Sequence, residues 1–170
     1  MEVTMFYKKI RAELLEMKRV DQKMRSRAFK EFNYWDSDVD RKHTSRMKEI
    51  VARFGWPTVS KVGRKGTNAA WLLIQHADHD VKFQKECLTL MKSTPESEVE
   101  KRNIAYLEDR VRVNTGKPQL YGTQFTKVGD NFVPRNIENP EQVDERRIEV
   151  GLGTLQEAIQ EMHDMYRTKT

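Results

Sequence analysis

Two of the chain's four histidines lie in one short segment, Gln75-His76-Ala77-Asp78-His79-Asp80, together with two carboxylates. An imidazole beside a carboxylate is the pair that general acid–base chemistry uses, because the carboxylate orients the ring and raises its basicity toward neutral pH. Steps of three and four from Ala69 reach Leu73, His76, Asp80, Phe83 and Cys87, so a helix through this segment would carry His76 and Asp80 on one stripe, a turn apart. His79 falls at the edge of that stripe and Asp78 on another face. The catalytic assignment is therefore His76 or His79 as general acid or base, with Asp80 orienting the ring. The plainer alternative is that His76 and Asp80 bond to each other, or to an arginine, and anchor a buried helix; a lone pair of this kind is more often structural. Two histidines and carboxylates are also ligand types for a divalent metal, which would take His76, His79 and Asp80. A spacing of three lacks the rest of a strong metal signature, so no metal or cofactor is expected.

Polar residues recur on later segments. Arg110 lies on a stripe with Val99, Asn103 and Tyr106, where its guanidinium would either pair with a buried carboxylate such as Asp80 or bind an anionic substrate bidentately. Gln119, Tyr121 and Gln124 sit in a glycine-marked loop and offer neutral donors and acceptors at close quarters, which either close a hairpin or orient a polar ligand. Arg147, in the segment that follows, completes the set assigned to substrate binding. His43 reads as a satisfied core or rim histidine, and Cys87, with no adjacent cation, as a buried and inert thiol.

The elements that must hold these groups are helical. Apolar residues Phe6, Ile10, Leu14, Met17, Val20 and Met24 predict an amphipathic helix over residues 4–29. Ser37 is placed to cap a second helix, with Val39, His43, Met47, Ile50 and Phe54 on one face and Gly55 at its end. Residues 55–66 read as a turn-rich connection with Trp56 folded back onto the core. A third, central helix is predicted from Thr67 or Asn68 to about Met91. A fourth starts at Thr94-Pro95-Glu96 and runs to Gly116. A small hairpin with a Gly129-Asp130 turn falls near residues 119–134. Asn139 and Thr154 are placed to cap two short final helices, each in a capping-box pattern. The fold class is thus mainly α: one domain over residues 1–170, an array of about six helices with one hairpin, in which the helix over 4–29 packs on the rest.

Composition limits the function classes. A chain of 170 residues buries roughly 70% of its extended surface, enough for a real core. Thirty-one Lys and Arg against 26 Asp and Glu give +5, but the signs are interspersed along the chain, which reads as solvated helix faces before a nucleic-acid surface. The single cysteine excludes an internal disulfide, and no apolar run approaches the ~20 residues that span a bilayer. A cytoplasmic protein without a membrane partner is expected. Phosphate-loop, dinucleotide and serine-elbow motifs are absent.

Taken in order, Gly55-Trp56-Pro57, the 75–80 segment with Phe83-Gln84, Ala105-Tyr106-Leu107-Glu108-Asp109-Arg110-Val111, and Pro118-Gln119-Leu120-Tyr121-Gly122-Thr123-Gln124 resemble an uncharacterised bacterial domain family of unknown function. The Val143-Asp144-Glu145-Arg146-Arg147 segment looks like the same family's C-terminal part, and Asp21-Gln22-Lys23-Met24-Arg25 matches its pattern more briefly. The resemblance covers about residues 40–165 and brings no activity with it, but implies that these polar segments belong together. Three function classes follow: a small hydrolase or lyase with a histidine acid–base site for a polar or anionic small molecule; a protein that binds such a molecule without turnover; and a nucleic-acid or protein interaction module, the least favoured.

Overall fold

The computed structural model describes residues 2–30, 36–129 and 131–167. Among these, seven α-helices and one two-stranded hairpin make a mainly α protein. The chain divides into two compact units, Met1–Glu100 and Lys101–Thr170.

The first unit is four helices: α1 (Glu2–Lys30), α2 (Ser37–Phe54), α3 (Val59–Gln75) and α4 (Val81–Lys92). In α1 the residues turned fully inward are Ile10, Leu14, Met17, Asp21 and Met24, a 4-3-4-3 series in which a carboxylate takes one apolar position. In α2 the buried series is Asp40, Thr44, Met47 and Ile50, so again a carboxylate shares the inner stripe. Asp36 caps α2, accepting from the Asp38 amide at 2.9 Å, one residue before the expected Ser37. Gly55, at φ 69°, closes it. α1 packs on α2 and α3, and α3 packs in turn on α2 and α4.

The connection predicted over residues 55–66 is largely helical, since α3 already begins at Val59 and is kinked at Gly63 (φ 71°). Glu98 makes that early start stable: its carbonyl accepts from the Val59 amide (3.1 Å) and its carboxylate from the Ser60 amide (2.8 Å). Trp56 is buried, as its folding back onto the core required.

The long central helix is broken. Residues 76–80 form a corner between α3 and α4 in place of a continuous stripe. Gln84, fully buried, holds the corner by donating from Nε2 to the Ile74 carbonyl (3.1 Å) and the Asp78 carboxylate (3.2 Å). Asp80 caps α4 by accepting from the Phe83 amide at 3.1 Å. No helix among the described residues is long and apolar enough to cross a membrane.

The second unit contains α5 (Lys101–Asn114), the strands β1 (Phe125–Val128) and β2 (Asn131–Pro134), a 3-10 turn (Pro140–Gln142), α6 (Val143–Glu149) and α7 (Leu155–Arg167). α5 starts at Lys101, later than the Thr94-Pro95 signal, whose segment makes turns instead. The hairpin pairs Phe125 with Pro134 through Val128 with Asn131; Asp130, the expected second turn residue, lies outside the described residues. Asn139 adopts a left-handed conformation (φ 45°) without a side-chain capping bond, so the expected box there is absent. Thr154 does form one, with Glu157 accepting from its amide at 2.7 Å and Thr154 Oγ1 accepting from the Glu157 amide at 3.2 Å.

Gly122 is where backbone freedom is required. Its φ is 66°, and an added Cβ would stand 2.7 Å from Leu155 Cδ1 and 3.0 Å from Ile137 Cδ1. Those methyls end flexible side chains and can give way, so the left-handed backbone carries most of the penalty. Gly122→Ala is expected to lower stability by about 1–2 kcal/mol, read from urea denaturation. A variant as stable as the native protein would show that this turn relaxes freely.

Candidate functional site

The corner of the first unit places His76 at the end of α3, directly against Asp21 of α1. His76 Nδ1 lies 2.8 Å from Asp21 Oδ1, with the ring 17% exposed and the carboxylate fully buried. An ionised carboxylate can only accept, so Nδ1 carries the proton and Nε2 is the nitrogen left to take or give one. The orienting carboxylate is thus Asp21, from a helix 55 residues earlier, and not Asp80. Asp80 is committed elsewhere: Lys48 Nζ reaches its Oδ2 at 2.5 Å, and that bond leads the causes that hold its carboxyl below the ordinary range.

Asp21 is held on every side. Arg25 Nε donates to Oδ1 at 3.0 Å and Gln22 Nε2 to Oδ2 at 2.8 Å, while Arg25 Nη2 reaches on to Asp40 Oδ1 at 2.7 Å. Burial pushes the Asp21 carboxyl upward, but the hydrogen bond and charge of His76, the bond from Gln22 and the charge of Arg25 outweigh it and hold the group at about 2. His43 stands beside this network. Burial pushes its pKa down against the pull of Asp21 and Asp40, and its Nδ1 has no hydrogen-bond partner among the described residues, unlike the satisfied histidine expected. His79 is exposed at the corner, and Asp78 accepts from Gln84. Among the described residues no three of His, Cys, Asp and Glu come together as a metal site requires, so His76, His79 and Asp80 do not form one. Cys87 is buried, and burial pushes its thiol up to about 12, which keeps it unreactive.

The residues assigned to substrate lie in the second unit, where a different carboxylate organises them. Asp109 is fully buried on α5 and accepts from the amides of Leu120 (2.6 Å), Tyr121 (3.1 Å) and Thr123 (3.0 Å) and from Thr123 Oγ1 (2.9 Å). Gln119, also fully buried, donates to the carbonyls of Gln124 (3.0 Å) and Arg135 (2.8 Å) and accepts from the Gln124 amide (2.8 Å). Arg147 is 3% exposed and donates to the carbonyls of Gly153 (2.5 Å) and Tyr121 (2.6 Å). The side chains of Gln119 and Arg147 are therefore occupied in holding the loop. Arg110 Nη1 donates to Gln124 Oε1 at 2.9 Å, which joins two residues of the assigned set; Tyr121 is half-buried in the same loop as Gln124.

The first unit defines a helical protein with a partly exposed histidine oriented by a buried aspartate. The chain belongs to the Family of unknown function (DUF6624), whose model matches residues 8–170. That match extends past the expected 40–165 and takes in α1, where Asp21 and Arg25 stand. No curated protein and no solved structure matches the chain.

Proposed function

We propose that this protein is a small hydrolase or lyase in which His76 Nε2 is the general acid–base group and Asp21 the positioning carboxylate, acting on a polar or anionic small molecule. The observation that carries this reading is the 2.8 Å contact between a fully buried carboxylate and a partly exposed imidazole. In a hydrolase, Nε2 takes a proton from the attacking water; in a lyase, from the carbon beside the leaving group. Either way the imidazolium formed faces the negative charge of Asp21, which Arg25 and Gln22 hold in place.

The test is mass spectrometry of a metabolite extract before and after incubation with the native protein, with folding of each variant checked by circular dichroism. The native protein should form a new product. His76→Gln, folded, should form it about 100-fold more slowly, since general acid–base catalysis contributes roughly 10²–10⁴-fold. A folded variant with native product formation would sink the assignment. So would depletion of a compound that reappears unchanged on denaturation, the mark of a binding protein.

A further inference from the structure

We propose that the cleft between the end of α5 and the β1–β2 hairpin is a second site, which binds a small organic anion through Lys117 and Arg135. The cleft encloses about 480 Å³, within the range that small-molecule pockets occupy. Both cations line it, with Thr126 and Asn136 as neutral donors, and no lining residue is acidic. Neither cation has a side-chain ion pair or hydrogen bond among the described residues, although the arginines nearby, Arg110, Arg112 and Arg146, are all engaged. Val113 and Val133 supply apolar walls for the body of the ligand.

The backbone beneath the two cations is clamped. The Lys117 amide donates to the Arg112 carbonyl at 2.8 Å, and Arg112 Nε returns to the Pro118 carbonyl at 2.6 Å. Arg135 is fixed by its amide on the Gln124 carbonyl (2.9 Å) and by its own carbonyl, which accepts from Gln119 Nε2 (2.8 Å). The buried Gln119 thus positions the cleft's arginine, a use of that loop residue beyond closing a hairpin. A helix C-terminus ordinarily repels anions. Here three of its last four carbonyls are already taken: Val111 by Thr115 Oγ1, Arg112 by the Thr115 and Lys117 amides, and Val113 by the Gly116 amide. What remains facing the cleft is net positive charge on a preorganised frame, the arrangement that binds a phosphate or carboxylate head group.

Amide-resolved NMR titration of the 170-residue chain tests it, with phenyl phosphate and benzoate as probes and sodium chloride at matched ionic strength as control. At least one probe should give saturating shifts centred on the amides of residues 113–117, 126, 133, 135 and 136. The Lys117→Gln/Arg135→Gln variant, its spectrum elsewhere unchanged, should bind that probe at least about tenfold more weakly, because hydrogen bonds to charged groups are worth that or more. Saturation by phenyl phosphate alone would identify the head group as phosphate. The site is refuted by shifts that chloride reproduces, by shifts scattered over the surface without saturation, or by equal affinity in the double variant.

Discussion

Asp21→Ala is expected to cost about 3 kcal/mol of stability, because it strips the buried partner from His76 and one of two carboxylates from Arg25, which keeps Asp40. Asp21→Asn keeps the shape and one acceptor, so a loss of about 2 kcal/mol is expected there. Urea denaturation at pH 7 checks both, and an alanine variant within 1 kcal/mol of the native protein would show that the network contributes little. The pH dependence gives an independent check. The Asp21 carboxyl is lowered from 3.8 to about 2, so the folded state binds its proton less readily than the unfolded chain does. A depressed carboxyl contributes stability that is fully present above about pH 4 and lost as pH falls through 4 toward 2, here about 2 kcal/mol for this buried group. The native curve should fall across that window, and the Asn variant's curve should be flatter by about that amount.

The network explains which parts of the site were legible. His76 stood out because its segment concentrates imidazoles and carboxylates within six residues. Its partner was harder to see, although the signal was present. In α1 the buried series is 10, 14, 17, 21 and 24, and a reading that follows only apolar residues slides from Met17 to Val20 and steps over Asp21. The same slip of one position in α2 follows Val39 and His43 where the buried residues are Asp40 and Thr44. A carboxylate at an inward position of an otherwise apolar stripe must have a partner, since burial of an unpaired charge is too costly for a domain of ordinary stability. Asp21, Asp40 and Asp109 all occupy such positions.

The fold was legible where local chemistry decides it. The capping box at Thr154, the glycine stop at Gly55 and the hairpin register all follow from short-range rules. The corner at residues 76–80 does not, because the segment holds neither glycine nor proline and its flanks keep a helical spacing of apolar residues. The break is set by a side chain in the next helix: Gln84 takes the Ile74 carbonyl, while Asp80 caps the new helix. A contact made across a turn that has yet to form leaves no periodic signal. The late start of α5 has the same character, since Glu98 is drawn to the start of α3.

Asp109→Ala is expected to release the 118–124 loop, with a loss of about 3–5 kcal/mol, because three backbone amides and one hydroxyl share this single buried acceptor. Each stranded donor costs roughly 1–3 kcal/mol unless water reaches it. Burial pushes the Asp109 carboxyl above its ordinary range despite the donors from Thr123, Leu120 and Tyr121. That raised value compares the ionised with the protonated carboxyl and says that ionisation carries a cost; the substitution compares either form with no acceptor at all. The two carboxylates therefore act with opposite sign on the pH curve. A raised carboxyl gives stability that is full below its unfolded pKa, near 4, and declines as pH rises through the folded one, whereas the Asp21 contribution grows between about pH 2 and 4 and is constant above that. Hydrogen exchange locates the effect: in Asp109→Ala the amides of Leu120, Tyr121 and Thr123 should exchange close to open-chain rates, while the buried amides of α1 keep native protection. Retained protection at those three positions would mean that Gln119 and Arg147 hold the loop without Asp109. Released, the loop would also free the Gln124 side chain, whose Nε2 rests on Thr123 Oγ1 and whose Oε1 accepts from Arg110, so that the arginine assigned to substrate loses its orientation along with the fold of the loop.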